Sequence, residues 1–338
     1  MKLLVSCPRG RTFDSFFDKE NIALAESLGE VIWNPYGKNM TKSQAKKLIV
    51  DCDVYVTLWG APKLDAELFR VANKIQAVVH LGNRVLPFLS ESVWKSGIKV
   101  LTGSQYYIAS AAEGTLSYVL AALRNIPEYS MRLKYQNEWK HSWDTNRGLI
   151  GKVVGIVNYN AISANLIKLL RAFDVRILVY DNKKIPKTVQ KESGFEQVEL
   201  LDIFSRSDVI TVHTPSYKNY FHLISFEHFQ KMKDGALIVN TSVGGLVNDE
   251  ALAYALMKGK IYAVIDVYEQ APINDSNYFH YFQNAMLMPQ MGGPTYDVRK
   301  LVTRNLLQEC ADYVEKGKSS AHSITYAEAK KIEIPNMM

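Results

Sequence analysis

The stretch GKVVGIVNYNAISANLIKLLRAFDVRILVYD, residues 151–181, decides the fold class. Residues 153–157 form an apolar, β-branched run, and residues 161–173 have the composition and periodicity of a helix. Residues 176–180 form a second apolar run that ends at Asp181. A strand, a helix and a second strand in this order predict a βαβ unit, in which the two strands are parallel.

Short apolar runs alternate with helical patterns on both sides of this unit. Further strands are predicted at residues 2–7, 30–33, 54–58, 77–80, 99–102, 209–213, 236–240, 261–266 and 285–288. Helices are predicted at residues 42–49, 66–73, 111–123, 249–257 and 298–315. This alternation over 338 residues predicts an α/β protein of two Rossmann-like domains with doubly wound parallel sheets.

Two segments differ from this pattern. Residues 127–147 are polar and aromatic, with Trp139 and Trp143, and fit an exposed arm that contacts another subunit as well as they fit a packed surface helix. The tail KIEIPNMM, residues 331–338, is expected to be poorly ordered or lightly docked.

Charge and composition narrow the function classes. The net charge is +6, from 40 Lys and Arg against 34 Asp and Glu, and the basic residues are spread along the chain. A solvated surface is therefore the better interpretation, and nucleic-acid binding is not expected. The sequence contains no run of about 18 apolar residues, so no membrane span is predicted. Cys7, Cys52 and Cys310 have no paired spacing, and the seven histidines have no ligand spacing. The sequence thus predicts no disulfide and no metal site, and it fits a cytoplasmic location.

Several motifs, in the same order and spacing, resemble the D-isomer-specific 2-hydroxyacid dehydrogenases. Besides the opening stretch they are DVITVHTPSYKN (208–219), MKDGALIVNTSVGGLVNDEAL (232–252), GKIYAVIDVYEQAP (259–272), MLMPQMGGPT (286–295) and GIKVLTGSQYYIASAAEGTLSYVLAALR (97–124). The resemblance covers about residues 50 to 305 and is specific, because several independent motifs agree.

The resemblance implies a domain arrangement. A discontinuous, flavodoxin-like substrate domain would comprise residues 1–103 plus 299–338. An inserted dinucleotide-binding domain would comprise residues 104–298, with the active site in the cleft. It also implies an NAD-dependent oxidoreductase that forms a homodimer.

The family's cofactor loop, G-x-G-x-x-G, is altered in this chain. Its glycine positions hold Asn158, Asn160 and Ser163. Asn158 is able to keep the left-handed turn, and Ser163 is small. The Asn160 side chain is expected to project where the pyrophosphate would lie, while the helix N-terminus still offers free amides to an anion. Whether NAD binds therefore stays open, with binding weakened or lost as one outcome.

Other cofactor-binding positions follow from the same resemblance. Asp181 ends the second strand, where an acid bonds the adenosine ribose and favours NAD over NADP; otherwise it begins a turn. The remaining predicted positions are Tyr159, Ala161, Ile162, His213, Thr214, Pro215, Thr241, Ser242, Val243 and Asp266. His213 in this segment is more often structural than catalytic.

The three side chains that perform the family's chemistry are absent from their expected positions. Val243 stands in the place of the Arg that binds the substrate carboxylate, so a charge-assisted bidentate contact is lost. Gln290 follows Pro289 where a His would transfer the proton, and an amide is neither acid nor base near pH 7. Ala271 replaces the Glu that orients that His, although a one-residue slip would give the role to Glu269.

Three functions remain open from these residues. The first is a dehydrogenase-like protein with a degenerate site, which binds NAD, a nucleotide or a small anionic metabolite, or serves as a subunit. The second is an active oxidoreductase that uses other residues, for which His80, Arg84 and Tyr107 are the candidate replacements. His80 would titrate near neutrality and Arg84 would clamp an anion; the simpler interpretation is a packed His80 and a solvated Arg84. The third is a corepressor-like interaction module.

Overall fold

Two compact units make up the chain. The computed structural model describes residues 1–214 and 220–332. Within these, unit 1 comprises residues 1–107 and 294–332, and unit 2 comprises residues 108–293. The predicted architecture, a discontinuous α/β domain interrupted by an inserted one, is confirmed.

Unit 1 contains a parallel sheet with strand order β2-β1-β3-β4-β5. Its strands are β1 (Lys2–Pro8), β2 (Glu30–Asn34), β3 (Val54–Thr57), β4 (Ala77–His80) and β5 (Lys99–Thr102). This is the flavodoxin-like order, in which the connections reverse between β1 and β3.

Unit 2 contains a second parallel sheet, with strand order β12-β11-β10-β9-β6-β7-β8. Its strands are β6 (Val153–Val157), β7 (Arg176–Tyr180), β8 (Phe195–Gln197), β9 (Val209–Val212), β10 (Leu237–Asn240), β11 (Tyr262–Ile265) and β12 (Ala285–Leu287). The connections reverse between β6 and β9, and in sheets of this type the ligand binds beside the carboxyl ends of the strands at that reversal.

Helices cover the faces of both sheets. They are α1 (Arg11–Phe16), α2 (Lys19–Ser27), α3 (Lys42–Leu48), α4 (Ala66–Phe69), α5 (Glu91–Trp94), α6 (Ser104–Leu123), α7 (Ile126–Met131), α8 (Ala161–Leu170), α9 (Lys187–Ser193), α10 (Leu200–Arg206), α11 (Phe226–Lys231), α12 (Asp249–Met257), α13 (Tyr296–Lys316) and α14 (Tyr326–Ile332). The boundary between the units at residues 107 and 108 falls within α6.

The core consists of apolar side chains on both faces of each sheet. In β6, Val154 and Ile156 are buried in one cluster, while Val157 is buried in the other. In β7, Ile177 and Val179 join the first cluster and Leu178 joins the second. Successive strand residues point to opposite faces, so a strand buried on both sides must be apolar throughout. This explains why these strands read as continuous apolar runs.

Several predicted elements differ from those observed. The helix predicted at residues 66–73 ends at Phe69, and Asn73 lies among turn residues, which its side chain favours. Phe195–Gln197 forms an unpredicted edge strand, because three residues give no apolar run. In the segment 127–147, α7 is followed by a five-residue π-helix and then by irregular, exposed chain. The tail prediction falls largely on residues 333–338, which lie outside the described residues.

Candidate functional site

The predicted site positions of unit 2 converge on one edge of its sheet. Asn158 follows β6, Asp181 follows β7, His213 follows β9, Thr241 follows β10 and Asp266 follows β11. The strands are parallel and adjacent, so their carboxyl ends lie side by side. The sheet topology therefore gathers these positions although they are spread over more than a hundred residues of sequence.

The loop between β6 and α8 makes a tight turn without glycine. Asn158 takes φ 79°, in the left-handed region that asparagine tolerates better than most residues. Its backbone N–H donates to the carbonyl of Tyr180 at 2.8 Å, which anchors the turn to β7. Ser163 is fully buried on the first turn of α8.

Asn160 is the N-cap of α8. Its Oδ1 accepts the backbone N–H groups of Ile162 at 2.9 Å and Ser163 at 3.1 Å. Its Nδ2 donates to the carbonyl of His213 at 2.5 Å, so the side chain also joins the helix to the end of β9. In return, Ser163 Oγ accepts the backbone N–H of Asn160 at 2.7 Å. Together these bonds form a capping box, which satisfies helix amides that lack intrahelical partners.

The expectation of free amides at this helix N-terminus is not met at Ile162 and Ser163, whose N–H groups donate to the Asn160 side chain. Besides the amides of Asn160, Ile162 and Ser163, the N–H of Tyr159 is also occupied, by Asp181 Oδ2 at 2.9 Å. An anion binds at a helix N-terminus by accepting hydrogen bonds from such amide N–H groups. In this conformation the Asn160 side chain accepts the hydrogen bonds of two of these amides. The Asn160 side chain was expected to project where the pyrophosphate would lie. In the structure it instead folds onto the first turn of α8 as the N-cap.

The other predicted positions near the loop are also engaged by the chain. The second oxygen of Asp181 accepts the N–H of Lys183 at 2.8 Å, as expected for a residue that begins a turn. His213 is buried, and burial lowers the pKa of its imidazole to about 4, so it is neutral at pH 7. The carbonyl of buried Thr214 accepts from Ser242 Oγ at 2.5 Å. Ala161 is exposed on the first turn of α8, and Pro215 lies outside the described residues.

A cavity of about 530 Å³, here called the polar cavity, lies beside the ends of β10 and β11. It is lined by Phe221, Thr241, Ser242, Val243, Gly244, Gly245, Asp266, Val267, Tyr268, Glu269, Ala271, Gln290 and Gly293. Val243, Ala271 and Gln290, the three positions where the family's catalytic side chains were expected, thus line the same cavity. Their grouping is what a single reaction site would require.

Close packing shapes the glycine pair of this cavity. A Cβ on Gly244 would overlap the backbone carbonyl of Tyr268. Gly245 takes φ 77°, and a Cβ there would meet the ring of Phe221 at 3.0 Å. Both glycines are therefore required by the backbone path, whatever the cavity binds.

Asp266 holds the segment that carries Gln290. This carboxylate is buried. It accepts a hydrogen bond from the hydroxyl of Tyr118 at 3.1 Å, and two more from the backbone N–H groups of Met291 at 2.7 Å and Gly292 at 3.0 Å. Gln290 takes φ 58°, and its N–H donates to the Asp266 carbonyl at 3.1 Å. Burial raises the pKa of Tyr118, so its hydroxyl remains a donor. Asp266 is thus a structural anchor of the cavity wall.

A cluster of ionisable groups that the sequence did not reveal as a unit lies at the polar cavity. Glu269 Oε1 lies 2.8 Å from His222 Nε2 and accepts the N–H of Asp249 at 2.9 Å. The other ring nitrogen of His222 lies 3.0 Å from the amide nitrogen of Asn248. Burial raises the pKa of Asp249 to about 6, and the charge of Glu269 adds to this shift. No sequence spacing links His222 to Glu269; only the packing of their loops brings them together.

A second, apolar cavity of about 600 Å³ adjoins the first. It is lined by Tyr268, Ala271, Pro272, Ile273, Leu287, Met288, Pro289 and Gln290. Tyr268, Ala271 and Gln290 line both cavities, so the two lie side by side and share a wall.

The candidate replacement residues His80, Arg84 and Tyr107 lie in unit 1. His80 is fully buried, with Nδ1 2.9 Å from Thr57 Oγ1 and its ring stacked on Phe88. Burial lowers the pKa of this imidazole to about 3, so the idea that it titrates near neutrality is wrong. Tyr107 is buried and donates to the Leu81 carbonyl at 3.0 Å, and burial raises its pKa. Arg84 is half-buried after β4.

No grouping of three or more His, Cys, Asp or Glu side chains suited to a metal ion occurs in residues 1–214 and 220–332. Over the same part of the chain, no helix has both the length and the hydropathy that crossing a membrane requires. Cys7, Cys52 and Cys310 are buried free thiols.

Comparison with known proteins identifies the family. Residues 116–292 match the family model described as "D-isomer specific 2-hydroxyacid dehydrogenase, NAD binding domain". The chain belongs to the D-isomer specific 2-hydroxyacid dehydrogenase family. The matched region falls within unit 2, so this unit is the NAD-binding domain of the family fold.

Curated relatives and solved structures agree with this assignment. A D-3-phosphoglycerate dehydrogenase of Methanocaldococcus jannaschii is 32% identical over 302 residues, which are 89% of this chain and 55% of that protein. The chain thus spans about half the length of that relative. A hydroxypyruvate reductase of Thermotoga maritima is 29% identical over 275 residues, 80% of this chain and 88% of that protein. A phosphoglycerate oxidoreductase structure from Rhizobium etli has the same fold, with a TM-score of 0.77, 23% identity and coverage of 96% and 98%.

Proposed function

We propose that this member of the dehydrogenase family has lost the family's standard hydride-transfer site and acts as a ligand-binding protein. The observation that carries this proposal is the shared location of Val243, Ala271 and Gln290 in the polar cavity. These three side chains are neutral, so they neither hold a substrate carboxylate by a charged bidentate contact nor move a proton near pH 7. The three buried free thiols support a reducing, cytoplasmic setting.

We also propose that dinucleotide binding is weakened. The bound cofactor supplies the hydride in this family, and the residues expected to hold it are Asn158–Ser163 and Asp181. The Asn160 cap argues against a good fit, because its Oδ1 already accepts the amides that a pyrophosphate would need.

A second candidate is an active oxidoreductase with different catalytic groups. The neutral, buried His80 and the buried Tyr107 give it little support. Glu269 gives it more, because this carboxylate lines the polar cavity and is positioned by His222. In this candidate Glu269 would exchange the proton, while His222 would act only as a positioning residue, since both of its ring nitrogens have partners.

The test is NADH oxidation with a panel of 2-keto acids that includes glyoxylate and hydroxypyruvate. We expect no turnover by the wild-type chain. We expect a variant that combines Val243→Arg, Ala271→Glu, Gln290→His and Asn160→Gly to oxidise NADH at least about 100-fold faster than the background rate measured with the wild-type chain, since proton transfer alone contributes about 10²–10⁴ in rate. A robust wild-type rate that Glu269→Gln abolishes would instead establish the second candidate.

A further inference from the structure

The polar cavity has the wrong charge for a carboxylate ligand. None of the described residues that line it is Lys, Arg or His, whereas two of them, Asp266 and Glu269, are acidic. Asp266 is buried and engaged by three donors, so its charge is compensated by hydrogen bonds within the chain. Glu269 is therefore the acid that a ligand in this cavity meets.

Glu269 retains capacity for a ligand. Its side chain is 32% exposed, and within the described residues both of its bonding partners, His222 and the N–H of Asp249, bind Oε1. A carboxylate accepts at two oxygens, so Oε2 keeps its acceptor sites. The two partners fix the orientation of the carboxylate, and a fixed carboxylate binds a cation with less loss of side-chain entropy.

The neighbouring apolar cavity defines the rest of the ligand. Its walls include Ile273, Leu287 and Met288. It shares Tyr268, Ala271 and Gln290 with the polar cavity. Ala271 has the smallest side chain of the residues that line both cavities. Cavities of several hundred Å³ accommodate small organic ligands. Together the two spaces fit a molecule with one polar, charged end and one apolar end.

We propose that these two cavities bind an organic amine, with its protonated amino group beside Glu269 and its hydrocarbon body in the apolar cavity. An ammonium donates three hydrogen bonds to acceptors such as Glu269 Oε2, the hydroxyl of Thr241 and the amide oxygen of Gln290. A carboxylate at the same place would be repelled by Glu269 and would find no cation among the described lining residues. This inference rests on the proposed function, because it assigns a ligand class to the altered site.

Three probes of matched size test the assignment: hexylammonium, hexanol and hexanoate. Isothermal titration calorimetry or ligand-observed NMR on the full chain gives the dissociation constant of each. We expect hexylammonium to bind at roughly millimolar concentration or better, at least about tenfold more tightly than hexanoate, a difference of about 1.4 kcal/mol. Hexanol, which has the same body without charge, should lie between them.

Two variants separate the contributions of charge and shape. Glu269→Gln keeps an oxygen that accepts from Asp249 but removes the charge, so the affinity for hexylammonium should fall to that for hexanol. Glu250→Gln, an exposed acid on α12 that does not line the cavity, is the matched control and should change neither affinity. Ala271→Phe places a large side chain between the two cavities and should abolish binding of all three probes. Thermal melting shows whether the variants fold.

The proposal is overturned if hexylammonium shows no binding at millimolar concentration, if hexanoate binds equally well, or if the preference survives Glu269→Gln. The outcome is distinguishable from that of the proposed function. If the chain reduces 2-keto acids with NADH and still binds hexylammonium more tightly than hexanoate, only the proposed loss of the standard site is refuted. A preference for hexanoate without any NADH turnover would refute only the ligand class.

Discussion

Replacement of Asn160 by glycine should tighten the binding of NADH. In the wild-type chain, Asn160 Oδ1 occupies the amides of Ile162 and Ser163, and Nδ2 ties the loop to the His213 carbonyl. A dinucleotide that uses the helix N-terminus must first displace this side chain. Glycine removes the competitor and restores the residue type that allows close approach of the pyrophosphate.

The magnitude follows from the hydrogen bonds that must be exchanged. Each neutral hydrogen bond contributes about 0.5–1.5 kcal/mol net, so releasing two amides from Asn160 costs about 1–3 kcal/mol. The dissociation constant for NADH should therefore fall by a factor of about 5 to 150 in Asn160→Gly. The substitution removes the same two bonds from the free chain, so Asn160→Gly should also be less stable than the wild type by about 1–3 kcal/mol.

Quenching of protein fluorescence by NADH, with calorimetry as an independent measurement, gives the two dissociation constants. Asn160→Asp is the matched comparison, because aspartate caps the helix equally well but adds a negative charge where the pyrophosphate would lie. We expect it to bind NADH more weakly than the wild type. The reasoning is refuted if Asn160→Gly binds NADH no better than the wild type although thermal melting shows that it is folded at the assay temperature.

Two further predictions concern other parts of the chain. We propose that residues 127–147 contact a second copy of the chain, because Trp139 and Trp143 are 71% and 74% exposed. Sedimentation velocity should show that the wild type is a dimer. Trp139→Ser should raise its dissociation constant by about 30-fold or more, as loss of an aromatic anchor does, and substitution of the exposed Tyr281 by Ser should leave it unchanged. A wild-type monomer would contradict this. His80 has a folded pKa near 3, below its ordinary value of 6.5, so the unfolded chain takes up the proton first and stability falls as pH drops below 6.5. His80→Gln should reduce the loss of unfolding free energy between pH 7.5 and 5 by about 2 kcal/mol in urea titrations, and an undiminished loss would contradict the assignment.

The sheets could be predicted from the sequence because most of their strands, though not β2, β8 and β12, are buried on both faces. Val154, Ile156 and Val157 must all be apolar for that reason, and the resulting run is visible without a structure. Parallel pairing then fixes which loops share an edge. The grouping of Val243 with Ala271 and Gln290 followed from the family motifs, and the same edge of the sheet carries all three.

What the sequence did not provide were contacts set by side-chain conformation and packing. The pattern Asn160-x-x-Ser163 is compatible with a capping box, but only coordinates show that both partners are engaged. His80 ends a strand as predicted, yet its neutrality depends on burial against Phe88, which lies outside that strand. The pair of His222 and Glu269 joins two loops whose proximity no local pattern encodes.

The retained motif residues and the substituted ones differ in what they do within the chain. Gly244 avoids the Tyr268 carbonyl, Gly245 takes a left-handed conformation, and Asp266 anchors the 290–292 segment. Each is required for the backbone to follow its path, so its presence is explained by folding alone and is no argument for hydride transfer. Val243, Ala271 and Gln290 instead face a cavity, where a side chain can change without disturbing that path. Selection for the fold without selection for the reaction would produce this division, and a measured dehydrogenase activity would require another explanation for it.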